Sequence, residues 1–193
     1  MNMCDVSRVM RLLFLLSIFF ISCVDADKWR VETHPKPRRR LAKKAEKMKR
    51  RKLQDGDSQP CSPCICYSRW GKQYLDCSLV DDLDALPDDI PINTTRMWLS
   101  GQALTDIGND NIIPQLNQLE ELLLNGNGDL VTINENAFAN VPNLRMLLLH
   151  YTAIEEIQDN LFAGLTNLRE LWINDCNISS IGPNAFNHNL NRY

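Results

Sequence analysis

From residue 94 onward, leucine and other large apolar residues recur in the short motif L-x-x-L-x-L. Clear copies start at Leu119, Leu144 and Leu168, and a weaker copy starts at Thr94, so that the starts are 25, 25 and 24 residues apart. Alternating apolar residues in L-x-L predict a strand of three to four residues with alternate side chains inward. Regular repeats of this length predict a solenoid in which successive strands stack as a parallel sheet.

Two further features recur once per repeat. A second apolar pair closes each unit on the opposite, convex side: Ile113 and Leu116, Phe138 and Val141, Phe162 and Leu165, Phe186 and Leu190. The ninth position holds a polar residue or cysteine: Gln102, Asn127, Thr152, Cys176. A polar side chain pointing inward there can bond main-chain groups of neighbouring turns. Cys176 is therefore interpreted as a small inward residue, with a reactive or intermolecular thiol as the alternative.

Four cysteines are clustered ahead of the repeats: Cys61, Cys64, Cys66, Cys77. Such a cluster indicates either two disulfide bonds or a structural zinc site. A zinc site usually has a second C-x-x-C or a histidine pair, and neither lies nearby. The pattern therefore favours two disulfides, which form in an oxidising compartment.

The first 26 residues have the layout of a secretory signal peptide. Arg8 and Arg11 precede a ten-residue apolar run at 12–21, and small residues lead to a cleavage site after Ala26. An uncleaved anchor is the alternative, although ten helical residues rise only about 15 Å. No second apolar run of 18 residues follows, so we expect a secreted, extracellular chain without a membrane span.

Residues 27–59 are strongly basic and lack apolar periodicity, which predicts a disordered arm. Residues 27–52 contain 13 Lys/Arg and three Asp/Glu, whereas residues 53–193 contain six and 19. In a secreted protein such an arm is suited to sulfated, heparan-type glycans and not to nucleic acid. A propeptide cut at 49–52 and a plain linker are the alternatives. The candidate polyanion-binding residues are Arg38, Arg39, Arg40, Lys43, Lys44, Lys47, Lys49, Arg50, Arg51, Lys52.

The repeats, with the C-x-x-C-x-C-x10-C cluster and the following Leu83-x-x-Leu86-Pro87, resemble the extracellular leucine-rich repeat proteins. The resemblance implies a short α/β-type solenoid, a horseshoe with a parallel concave sheet. It divides the chain into a cysteine-rich N-terminal cap at 60–93 and four repeats at 94–118, 119–143, 144–167 and 168–193. It also implies disulfides between Cys61 and Cys66 and between Cys64 and Cys77. The chain stops inside the fourth repeat, so we expect no C-terminal cap.

The residues that carry chemistry do not form an enzyme motif. The sequence has no Gly-rich phosphate loop, H-E-x-x-H or G-x-S-x-G pattern. A triad of Ser100, His150 and Asp175 is disfavoured, because solenoid faces collect polar residues by default. We therefore predict no enzymatic activity, no metal and no cofactor. We interpret the acidic residues at 81–89 as solvated surface, with binding of calcium or of a mineral surface as the alternative. Asn93 and Asn177 begin N-glycosylation sequons.

The side chains between the inward leucines are expected to face the concave side. Large apolar residues at four successive positions there would form a stripe, which commonly marks an interface; stabilisation of the sheet itself is the alternative. The leading hypothesis is a secreted protein-binding or matrix module for an extracellular protein partner. The alternative is a truncated ectodomain or short isoform of a leucine-rich repeat receptor or immune recognition protein. The candidate partner-binding residues are Trp98, Leu123, Leu148, Trp172, Arg96, Glu121, His150, Tyr151.

Overall fold

The computed structural model of the chain describes residues 58–110 and 112–186. The predicted signal peptide and the ten predicted polyanion-binding residues lie outside the described residues, as does the end of the fourth repeat.

A seven-stranded sheet runs the length of the described chain in the order β1-β2-β3-β4-β6-β8-β10. Its first three strands form an antiparallel meander in the cap: β1 (Ser58–Cys61), β2 (Cys64–Arg69), β3 (Lys72–Asp76). The others are parallel and come one from each repeat: β4 (Arg96–Trp98), β6 (Glu121–Leu123), β8 (Met146–Leu148), β10 (Glu170–Trp172). Because β3 pairs with β4 in parallel, cap and repeats share one sheet.

The opposite, convex side of the described chain consists of turns and two short parallel sheets rather than helices. β5 (Asp106–Ile107) pairs with β7 (Thr132–Ile133), and β9 (Glu156–Ile157) pairs with β11 (Ser180–Ile181). These two-residue strands begin seven or eight residues beyond the end of each L-x-x-L-x-L motif. The repeat is therefore a strand–turn–strand coil, stacked into a parallel solenoid.

The core lies between the two sides. The middle residue of each parallel strand is buried, so that Met97, Leu122, Leu147 and Leu171 form one continuous inward row. The predicted second apolar pairs of the first three repeats fill the convex half, and the rings of Phe138, Phe162 and Phe186 stack there with centroids 6.3 and 5.3 Å apart. Large apolar side chains are buried on both the concave and the convex side of each repeat, which explains why a repeat without helices is stable.

The cap covers the first repeat with a disulfide-bonded hairpin. Cys61 is bonded to Cys66, and Cys64 to Cys77, which are the pairs that the resemblance implied. All four cysteines are buried and belong to the same core cluster as the leucines. The bonds therefore hold the strands of the cap together, and the cap covers the end of the solenoid, which would otherwise expose apolar residues to water.

Candidate functional site

Two rows of outward side chains cover the concave face of the sheet, and the strand register aligns them. The first row consists of Tyr74, Arg96, Glu121, Met146 and Glu170. The second consists of Asp76, Trp98, Leu123, Leu148 and Trp172. The structure thus brings six of the eight candidate partner-binding residues into two straight lines, and both lines continue into the cap.

In the N-terminal half of the concave face, the side chains contact one another. Tyr74 stacks on Tyr67 with centroids 4.9 Å apart and meets Trp98 edge-on at 5.4 Å. Arg96 Nη1 donates to the Tyr74 hydroxyl at 2.8 Å, while its Nη2 lies 2.9 Å from the carboxylate of Glu121. Trp98 Nε1 is buried and has no hydrogen-bond partner among the described residues. Trp98, Arg96 and Glu121 therefore contribute to packing and ion pairing at this end.

A second ion pair stands at the N-terminal ends of the strands. Lys72 Nζ lies 2.6 Å from Glu120 Oε2. The hydrogen bond from Lys72 lowers the pKa of Glu120 below its ordinary value, so this carboxylate is charged at neutral pH. Cap and second repeat are thus linked across the edge of the sheet.

Exposure increases toward the C-terminal half of the face. Trp98, Leu123 and Leu148 are half-buried by their neighbours, whereas Trp172 is 40% exposed. The expected stripe is present as a row, but its accessible apolar surface is concentrated around Trp172. The two remaining candidate residues, His150 and Tyr151, lie in the turn that follows β8.

His150 connects the exposed aromatic residues of this half. Its ring centroid lies 5.2 Å from that of Tyr151 and 5.9 Å from that of Trp172. Burial lowers the pKa of His150 below its ordinary value, and the charge of Asp175 opposes this shift. His150 is therefore neutral at physiological pH, and its buried Nδ1 has no hydrogen-bond partner among the described residues.

The disfavoured Ser100–His150–Asp175 triad lacks the required bonds. The hydroxyl of Ser100 donates to the side-chain oxygen of Asn125 at 2.8 Å, in the neighbouring repeat. Since Nδ1 of His150 has no partner in the described part of the chain, no carboxylate there orients the imidazole through it, as a serine hydrolase requires. Ser100, His150 and Asp175 are therefore not joined as a catalytic triad.

A ladder of inward side chains occupies the ninth repeat position, as the pattern predicted. Gln102 and Asn127 are buried and bond main-chain carbonyls of their own and the preceding turn. Thr152 donates to Leu149 O at 2.8 Å, and Cys176 Sγ lies 3.2 Å from both Thr152 Oγ1 and Leu149 O. Burial raises the pKa of the Cys176 thiol, which favours the inward interpretation over a reactive thiol.

The remaining candidates lie on the surface. Asn93 and Asn177, which begin the two sequons, are both exposed. The acidic residues Asp81, Asp82, Asp84, Asp88 and Asp89 are not buried either. The described residues contain no group of three or more His, Cys, Asp or Glu placed to hold a metal ion. Within the same part of the chain, no helix has the length and apolar character needed to cross a membrane.

Part of the chain matches a protein-family model, and two solved structures are distantly similar to it. The leucine rich repeat family model matches residues 117–178 and 142–191. No curated protein sequence matches the chain. The crystal structure of human 5T4 (Wnt-activated inhibitory factor 1, trophoblast glycoprotein) is 18% identical with a TM-score of 0.37, covering 67% of this chain and 37% of that one. The crystal structure of a TLR13–ssRNA13 complex is 16% identical with a TM-score of 0.30, covering 50% and 20%.

This chain therefore corresponds to well under half the length of either structure.

Proposed function

Because this chain is a leucine-rich repeat protein with a disulfide-bonded N-terminal cap, we propose that it is a secreted binding protein that recognises an extracellular protein through its concave sheet. The observation that supports this most directly is the aligned row Trp98, Leu123, Leu148 and Trp172, which ends on a tryptophan that is 40% exposed. Exposed large aromatic residues on a rigid sheet are typical of the anchors that dominate binding energy.

The two halves of the face have different roles in this proposal. The N-terminal half, with its Tyr74–Trp98 contact and its Arg96–Glu121 ion pair, is a preformed support. The C-terminal half, around Leu148, Tyr151 and Trp172, is the contact region. A support whose ring contact and ion pair are already formed loses little conformational freedom on binding, which favours affinity.

Secretion is supported by the signal-peptide pattern and by the disulfide-bonded cap. Disulfides form and persist outside the reducing cytosol. Exposure of Asn93 and Asn177 is compatible with glycan attachment at both sequons. We expect the mature chain to begin after residue 26 and to carry glycans at these two positions.

Photo-crosslinking tests the concave site even while the partner is unidentified. A benzophenone amino acid at Leu148 on β8 is matched by the same probe at Val131, an exposed residue on the convex side. We expect a crosslinked extracellular protein of fixed mass from the Leu148 probe, lost when unlabelled parent protein is added in excess. The same product from both positions, or none from Leu148, would argue against a concave site.

The basic arm is proposed to hold the protein on sulfated glycans. Residues 27–52 carry 13 Lys/Arg against three Asp/Glu, and contacts between exposed opposite charges are screened by salt. We expect the full chain to be retained on immobilised heparin at low salt and released as salt rises. Deletion of residues 38–52 should abolish retention, and retention that survives this deletion would contradict the role of the arm.

A further inference from the structure

One residue in the turn after each parallel concave strand has a left-handed backbone. These residues stand three positions beyond the strand ends, with φ of 68° at Gly101, 75° at Gly126, 57° at Tyr151 and 54° at Asp175. Glycine is the default residue for this conformation because it has no Cβ. Aspartate tolerates it moderately well, but a bulky residue such as tyrosine is an outlier there. The third and fourth repeats thus lack the glycine that this turn conformation favours.

Core packing does not account for this departure. A Cβ at Gly101 would meet nothing within 4 Å, and one at Gly126 would only touch the main chain of Gly101 at 3.5 Å. The turn position therefore points into open space. Tyr151 is 59% exposed, and Asp175 is exposed as well. Backbone strain at an exposed, non-packing side chain is typical of functional positions.

The two turns that carry Tyr151 and Asp175 are neighbours beside the exposed end of the concave row. Tyr151 N donates to the main-chain oxygen of Asn174 at 3.2 Å, which holds the two turns side by side. The centroid of the His150 ring lies 5.2 Å from that of Tyr151 and 5.9 Å from that of Trp172. The result is a small surface with two exposed aromatic rings and the Asp175 carboxylate, whose Oδ2 accepts a hydrogen bond from the side-chain amide of Asn174.

We propose that Tyr151, Trp172 and Asp175 form a subsite for the ammonium or guanidinium group of a lysine or arginine side chain, supplied by the protein that the concave face binds. This inference rests on the proposed function. Aromatic faces attract cations through their quadrupole, and Trp and Tyr do so most strongly. A carboxylate adds a charge-assisted hydrogen bond, and the rings pack against the aliphatic stem of the cationic side chain.

The surroundings favour a cation at this position. The ring of His150 is neutral at physiological pH, because burial lowers its pKa, so it does not oppose an incoming positive charge. Among the described residues of the third and fourth repeats, the arginines Arg145 and Arg169 precede their strands and so lie at the opposite strand ends from Tyr151 and Asp175. The excess of acidic residues after residue 52 attracts cations over longer distances.

The same chemistry is available from the basic arm of this chain, so the test must separate two sources. The probe is N-acetyl-arginine amide, and the matched control is N-acetyl-citrulline amide, which has nearly the same shape but no charge. Each is titrated into the mature chain while the indole and imidazole NMR resonances of Trp172 and His150 are followed. We expect saturable shifts with the arginine probe and none with citrulline.

Two substitutions are designed to keep the fold while removing the subsite. Tyr151→Gly and Asp175→Gly install the residue that Gly101 and Gly126 already have at this turn, so melting temperatures should stay equal or rise. We expect probe affinity to fall about fivefold for Tyr151→Gly and about tenfold for Asp175→Gly. Val131→Ala on the convex side should change neither the melting temperature nor the probe affinity. Equal shifts from both probes, or unchanged affinity in both glycine variants, would overturn the subsite.

Deletion of residues 38–52 identifies the source of the cation. Equal probe affinity in the full and the deleted chain supports a partner protein as the source. Tighter binding after deletion would mean that the arm already competes for the subsite, which overturns the assignment to a partner. Because the probe assay needs no partner protein, its outcome is independent of the crosslinking test of the concave face.

Discussion

Asn127 donates a hydrogen bond from its side-chain amide to the main-chain oxygen of Leu99, 2.9 Å away in the preceding repeat. The same nitrogen donates to Leu124 O at 2.6 Å, and the side-chain oxygen accepts the N–H of Gln102 at 3.1 Å. Asn127 is fully buried, so water does not reach these groups. One side chain therefore satisfies three main-chain groups in two adjacent turns and connects the first repeat to the second.

We predict that Asn127→Ala lowers the free energy of unfolding by about 2–4 kcal/mol, because it leaves buried main-chain groups without partners. Asn125→Ala is the matched control, since the half-buried Asn125 side chain lies on the concave side and accepts a hydrogen bond from the Ser100 hydroxyl. Its effect should be below about 1 kcal/mol. Urea unfolding of both variants measures the difference, and equal losses would show that the ladder does not depend on the inward amide.

The cap disulfides should be essential for the stability of the solenoid. Cys64→Ser combined with Cys77→Ser removes the bond that ties β2 to the residue following β3. We expect a loss of about 2–5 kcal/mol, or no secretion of folded protein. Cys176→Ser, which breaks no disulfide, should be secreted normally. Secreted parent protein with four free cap thiols would contradict the assignment.

Although Cys176 forms no disulfide, its thiol should react slowly with alkylating reagents. Its side chain is partly buried against Thr152 and Leu149 O, and burial raises its pKa. Since the thiolate is the reactive form, alkylation by iodoacetamide at neutral pH should be much slower in the native chain than in denaturant. Mass spectrometry of the labelled chain measures both rates. Equal rates would place the thiol in solvent and revive the alternative of an intermolecular disulfide.

Much of this architecture is readable from the sequence, because the spacing of buried residues is periodic. The inward row through Leu122 and Leu147 and the Phe138–Phe162 stack follow from the L-x-x-L-x-L and Phe-x-x-(Leu/Val) patterns. The junction of β3 with β4 does not, because pairing between cap and first repeat is a tertiary contact with no local signature. The half-burial of Trp98 follows from that junction, since Tyr74 supplies the ring that covers it.

The exposed cluster around Tyr151 is only partly predictable. The concave position of Trp172 follows from alternation within β10. The unusual backbone of Tyr151 is detectable by aligning the repeats, since Gly101 and Gly126 stand at the equivalent position. A glycine at the same position in two units indicates a left-handed turn there. The tyrosine at this position in the third unit is therefore the feature of the sequence that reveals an unusual backbone. Which side chains surround the turn depends on contacts between repeats, and these require the three-dimensional structure.

The stability of the chain should depend on pH through His150. Burial lowers the pKa of His150 in the folded chain below its ordinary value of 6.5, so the unfolded chain binds the proton more tightly. The contribution of the neutral His150 to the stability of the folded chain is fully present above pH 6.5. It is lost as the pH falls below 6.5 toward the folded-state pKa. His150→Asn installs the residue found at the equivalent positions 125 and 174. The variant should lose less stability than the parent on acidification, and parallel pH profiles in urea unfolding would contradict this.

The central claim is that the concave face, around its exposed C-terminal end, binds a protein. The most direct measurement is the affinity of the crosslinked partner for Trp172→Ala, compared with Val131→Ala on the convex side, in purified chains with matched melting temperatures. We expect the affinity of the partner to weaken by about 2 kcal/mol or more for Trp172→Ala and not to change significantly for Val131→Ala. Parent-like affinity of Trp172→Ala, or an equal loss in Val131→Ala, would contradict it.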